Sequence, residues 1–106
     1  MNKLFILLVF SVGINATAQV ATSGTTNSGT NASAIGYQSS ATNTVSTAIG
    51  RETLASGITS TAMGYQTSAT NTASTAMGNS STASGVTSTA IGNNSTASGV
   101  TSISTV

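Results

Sequence analysis

Ser46-Thr47-Ala48-Ile49-Gly50 returns as Ser60-Thr61-Ala62-Met63-Gly64, Ser74-Thr75-Ala76-Met77-Gly78 and Ser88-Thr89-Ala90-Ile91-Gly92, always in the same phase. Ala34-Ile35-Gly36 precedes them in that phase. A second alanine follows each first one by half a period, at Ala41, Ala55, Ala69, Ala83 and Ala97, and shortly after it stands Asn43, Gly57, Asn71, Gly85 or Gly99. A period this short and strict marks a stacked array.

The spacing translates into geometry. Fourteen residues at roughly 3.3 Å per residue supply two short strands and two tight turns, which is one rung of a parallel β-solenoid. A helical repeat needs far more chain. The turns are assigned to residues that tolerate positive φ: Gly36, Gly50, Gly64, Gly78 and Gly92 at one corner, and Gly57, Gly85 and Gly99, with Asn43 and Asn71, at the other. Between the corners, small and branched residues alternate with the period of a strand. The fold class is therefore all-β, a β-solenoid of 14-residue rungs with like residues stacked in ladders.

Alternation also separates inside from outside. Ser46, Ala48 and their equivalents share one face, whereas Thr47 and Ile49 share the other. So short a rung leaves almost no lumen, and Ala48, Ala62, Ala76 and Ala90 are small enough to fill it. The one large apolar residue per rung, Ile35, Ile49, Met63, Met77 or Ile91, is then expected to point outward. A row of exposed Ile and Met is an unusual solvent surface and reads as an interface with another chain. One such side chain is also little apolar burial with which to order a whole rung. An obligate homo-oligomer whose axis collects the stripe is expected.

The Ser-x-Ala-Ile/Met-Gly signature at this spacing resembles the head repeats of YadA-like trimeric autotransporter adhesins, also described as Hep/Hag repeats. Residues 34–103 carry the match, and five registers make it specific although each single motif is weak. The resemblance implies a left-handed parallel β-roll, a homotrimer, exposure at the bacterial cell surface or outer membrane, and attachment to host matrix, cells or surfaces. It names no ligand. It also implies a neck, a coiled-coil stalk and a β-stranded membrane anchor, whereas these 106 residues show no heptads and depart from the motif at Ser104-Thr105-Val106. The chain is accordingly read as a fragment, with a free secreted head as the other reading.

Residues 1–18 differ in kind from the rest. Lys3 gives a basic start, Leu4 to Val12 an apolar run and Ala16-Thr17-Ala18 a small-residue cleavage site, the pattern of a secretory signal peptide. The run is too short to span a bilayer as an ordinary helix, so no membrane insertion by this segment itself is expected. Residues 19–33, rich in Gly, Ser, Thr and Asn, read as a flexible lead-in with room for one degenerate rung near its end, and the head repeats as 34–106.

Composition then excludes most chemistry. The chain holds two basic residues, Lys3 and Arg51, one acidic residue, Glu52, and neither His nor Cys. Nucleic acid requires clustered Lys and Arg, so none is expected as a partner. Catalysis requires activated nucleophiles or paired acids and bases, and metal or cofactor sites require ligand clusters; none of these is expected either. Arg51-Glu52 reads as a solvated turn, and Tyr37 and Tyr65, two rungs apart, as covers for the roll edge. The expectation is a non-catalytic adhesin head that binds an extracellular matrix or cell-surface ligand. The alternatives are a structural spacer or fibre segment and, at greater distance, an ice-binding solenoid built on Thr59-x-Thr61 and Thr87-x-Thr89.

Overall fold

The computed structural model describes residues 23–106, so the expected signal peptide lies outside the described residues. The strands are β1 (Thr26–Asn27), β2 (Ser33–Tyr37), β3 (Ser40–Ala41), β4 (Thr47–Arg51), β5 (Leu54–Ala55), β6 (Thr61–Tyr65), β7 (Ser68–Ala69), β8 (Thr75–Asn79), β9 (Thr82–Ala83), β10 (Thr89–Asn93), β11 (Thr96–Ala97) and β12 (Ile103–Thr105). The even-numbered, longer strands form one six-stranded sheet and the odd-numbered, two-residue strands form the other. Neighbours within each sheet are parallel and pair in the repeat register, Thr47 with Thr61, Ala48 with Ala62, Ile49 with Met63 and Gly50 with Gly64. The described chain is a parallel β-solenoid of about 6 turns.

Small residues close the roll on itself. Ala34, Ala48, Ala62, Ala76 and Ala90 from the long strands meet Ala41, Ala55, Ala69 and Ala83 from the short ones, all fully buried. Ser46, Ser60, Ser74 and Ser88 fill one end of the lumen, and Ser39, Thr53, Thr67, Ser81 and Ser95 fill the other. The usual distribution is inverted, with the small side chains inside and the large apolar ones outside.

Two corners join the sheets. The first, Gly50-Arg51-Glu52-Thr53 in one rung, leads from long strand to short; the second, Ser56-Gly57-Ile58-Thr59-Ser60, leads back. Strand amides donate to the following rung, as Thr47 N–H does to the Ser60 carbonyl at 2.9 Å. One residue in each corner donates the opposite way, to the preceding rung. Glu52 N–H reaches the Tyr37 carbonyl at 2.8 Å, and Thr59 N–H reaches the Thr44 carbonyl at 2.9 Å. That reversal requires a left-handed backbone, and φ is +59° at Glu52 and +55° at Thr59. Every rung repeats the pair, through Gln38, Gln66, Ser80 and Asn94 at the first corner and Val45, Ala73, Thr87 and Thr101 at the second.

This arrangement corrects the assignment of the second corner. Gly57, Gly85 and Gly99 lie in that turn, but they are not among the residues at positive φ, which fall two positions later and are mostly β-branched. Left-handed geometry costs a non-glycine residue about 1–2 kcal/mol, and the reversed inter-rung hydrogen bond offsets it here. Gly57 serves close approach instead, because a Cβ there would overlap the Asn71 carbonyl of the next rung. The first-corner column Gly36, Gly50, Gly64, Gly78 and Gly92 meets both demands. Its φ values run from +125° to +132°, and a Cβ on Gly64 would overlap the Gly78 carbonyl oxygen.

Regular structure also starts before Ser33. β1 pairs with β3, placing Asn27 beside Ala41 within a first rung that has Gly24 at φ +70° and Asn31 at φ +58° in the two left-handed positions. This is the degenerate rung for which the sequence left room: its lumen holds Asn27 and Ala32 where later rungs have Ala and Ser. The Asn27 amide is buried there without a hydrogen-bond partner.

Candidate interaction surface

With the lumen closed by alanine and serine, any function must lie on the outside. No pocket occurs among the described residues. Nor does any group of three His, Cys, Asp or Glu residues able to hold a metal ion. The long-strand sheet presents two columns outward. One is Thr47, Thr61, Thr75 and Thr89; the other is Ile35, Ile49, Met63, Met77 and Ile91. The first four members of the Ile/Met column are half-buried by their neighbours along the column, and Ile91 is 41 % exposed.

A shorter apolar ridge runs along the second corner. Val45, Ile58 and Val86 are 48 %, 46 % and 37 % exposed. Together with the Ile/Met column they give a surface whose large side chains are apolar and whose intervening residues are Thr. The Thr59-x-Thr61 pair does not form a flat face, because Thr59 sits in the left-handed corner while Thr61 begins β6.

Side-chain hydrogen bonds tie the second corner. The Ser46, Ser60, Ser74 and Ser88 hydroxyls each donate at 2.7 Å to the carbonyl three residues earlier, on Asn43, Gly57, Asn71 and Gly85. Each also accepts from the amide of that same residue at 3.1 or 3.2 Å. In the asparagine rungs, Asn43 and Asn71 add a side-chain bond from Nδ2 to the carbonyls of Ser56 and Ser84 in the next rung.

Among the described residues, the charged and aromatic ones gather at the first corner of three consecutive rungs. Parallel register aligns Tyr37 with Arg51 and Arg51 with Tyr65. The Arg51 guanidinium carbon lies 5.6 Å from the Tyr37 ring centre and 5.5 Å from that of Tyr65, so the cation is held between two aromatic faces. Its Nε is 3.8 Å from Glu52 Oε2, and Gln66 Nε2 donates to Glu52 Oε1 at 2.9 Å. The tyrosines therefore do more than cover an edge. They remain 47 % and 40 % exposed while flanking the arginine. The sequence holds the clue, since positions 37, 51 and 65 are separated by one repeat each, but the residues have to be placed in one column before the contact is visible.

Comparison with known proteins agrees with this architecture. Residues 28–53, 55–81 and 83–105 match the YadA head domain repeat, a family of structural adhesin heads and not of enzymes, whose members are exported to the cell surface. No curated protein and no solved structure matches the chain. Small-residue lumen, glycine column and parallel 14-residue rungs over most of the described residues lead to one conclusion: the chain belongs to the YadA head repeat family.

Proposed function

We propose that this chain is the head segment of an exported, homotrimeric cell-surface adhesin. In this reading three rolls lie side by side and bury their Ile35, Ile49, Met63, Met77 and Ile91 columns against one another, while the remaining faces attach to extracellular matrix or to a cell surface. The observation that carries it is the inverted distribution of side chains: the lumen is filled by alanine, and the large apolar residues stand outside in an unbroken column. An apolar stripe of that length on a single soluble chain favours association. Family membership supports three chains and a surface location.

The test is the molar mass of residues 19–106 by light scattering, with a circular dichroism spectrum of the same sample. The expected result is three chains and a β spectrum, with Met63→Asp converting the trimer to monomer or unfolding it. A folded wild-type monomer would refute the trimer. A second measurement addresses attachment itself: the trimer is expected to adhere to matrix-coated or cell-coated surfaces, and a stable trimer that adheres to neither leaves a spacer as the better description.

A further inference from the structure

We propose that Tyr37, Arg51, Glu52 and Tyr65 form a binding site for the carboxylate of an acidic sugar in a surface glycan. The inference deepens the adhesive reading and rests on it for biological meaning, but the site lies within one chain.

The first argument is uniqueness. Arg51 is the one cation and Glu52 the one anion among the described side chains, and both stand on a rod otherwise built of uncharged residues. The second is preorganisation. A solitary surface arginine samples many rotamers, whereas this guanidinium is bounded by a tyrosine ring on either side and by Glu52 at Nε. Glu52 is itself anchored by Gln66 from the next rung. Holding a planar fork in place lowers the entropy lost when a ligand binds.

The third argument is residual capacity. The ion pair with Glu52 is a long contact, 3.8 Å at Nε. The Arg51 side chain is 58 % exposed. A guanidinium so exposed suits a carboxylate, which accepts two parallel hydrogen bonds from its planar fork. Around it stand groups of the kind that recognise sugar hydroxyls and ring C–H faces: two tyrosines with phenol hydroxyls and the side-chain amides of exposed Gln38 and Gln66.

Shape selects a glycan over a peptide. From Tyr37 to Tyr65 the column crosses two inter-rung spacings of about 4.8 Å, about 10 Å in all. The surface has no pocket for a side-chain anchor, and the backbone groups at this corner are already bonded to adjacent rungs, leaving no edge for an added strand. A short, flat, polar and aromatic patch fits one or two sugar units. Three such patches per trimer would engage a repeating polymer with a gain from avidity.

The experiment uses residues 19–106 over immobilised polymers, read by surface plasmon resonance. Hyaluronan and polygalacturonate supply sugar carboxylates, dextran the neutral control, dextran sulfate a polyanion without carboxylate, and poly-glutamate a carboxylate without sugar. Binding to the two uronate polymers alone is expected. Arg51→Lys keeps the charge but loses the planar fork and is expected to weaken binding by about tenfold or more. Tyr65→Ala should weaken it as well, and Asn79→Ala, at the equivalent corner of a later rung, should leave it unchanged; circular dichroism on each variant verifies the roll. Absence of uronate binding by the folded protein overturns the proposal, as does equal binding to dextran sulfate or to poly-glutamate. Light scattering on the same samples separates this failure from failure of the trimer, since a trimer that ignores uronates refutes only the site.

Discussion

The two corners of each rung bury the same kind of residue and use it differently. At the second corner, Ser46, Ser60, Ser74 and Ser88 close the turn, their hydroxyls donating to and accepting from a residue three positions back. At the first, the hydroxyls of Ser39, Thr53, Thr67, Ser81 and Ser95 are equally buried and have no hydrogen-bond partner. One column ties the backbone; the other fills space. What the first corner has instead is a glycine column at positive φ; the left-handed residue bonded to the preceding rung is common to both corners. Burial alone therefore says little about a hydroxyl's contribution, which depends on whether the turn offers it a partner.

The comparison is most easily broken at glycine. Gly64→Ala places a methyl group against the Gly78 carbonyl and forces an L-residue to φ +128°, so a loss of more than about 3 kcal/mol is expected, seen as collapse of the thermal midpoint by circular dichroism. Gly99→Ala, where the nearest atom to a new Cβ is Ser102 Cβ at 3.6 Å, should change stability by about 0.5 kcal/mol or less. Equal effects at the two positions would show that contact with the following rung, present at Gly64 and absent at Gly99, is not what excludes a side chain.

Ser74→Ala comes next in size. It removes two hydrogen bonds and leaves the Asn71 amide without a partner, while the Asn71 carbonyl keeps the Ser74 N–H, and a loss of about 1–3 kcal/mol is expected in urea unfolding at fixed protein concentration. Thr59→Asn should act in the opposite direction. Asparagine adopts the left-handed conformation more readily than a β-branched residue, and a gain of about 0.5–1 kcal/mol is expected in the same assay. Smallest is Thr67→Val, which preserves shape and deletes an unpartnered hydroxyl; it should leave stability within about 0.5 kcal/mol of the wild type or raise it slightly. A loss comparable to that of Ser74→Ala would mean that the two columns work alike.

What the sequence reveals follows from strict periodicity. Ala48 and Ile49 differ so much in size that alternation alone separates lumen from exterior, and the Ala-Ile/Met-Gly phase determines the register. The second corner is less legible because local propensity points the wrong way there. Gly57 looks like the left-handed residue and Thr59 does not, yet the direction of an inter-rung hydrogen bond, a non-local demand, assigns that conformation to Thr59. The first rung reads only as a degenerate one, because Asn27 and Ala32 replace the residues by which a rung is recognised. The stack at Arg51 is implicit in the numbering, but its contacts depend on side-chain direction, which composition does not supply.

The rung also fixes the relation between chain length and distance. One rung advances the roll by one strand spacing, about 4.8 Å, whereas the same stretch of chain in an α-helix would advance about 21 Å. As a means of reaching outward the roll is far less effective than a coiled coil. What each added rung contributes is breadth: another outward pair of Thr and Ile or Met, another corner whose side chains are free to vary, and no change in the register of the rest. Duplicating or deleting one rung therefore alters the extent of the display surface in fixed steps while scarcely moving its ends, an arrangement that suits a protein selected for the area it presents.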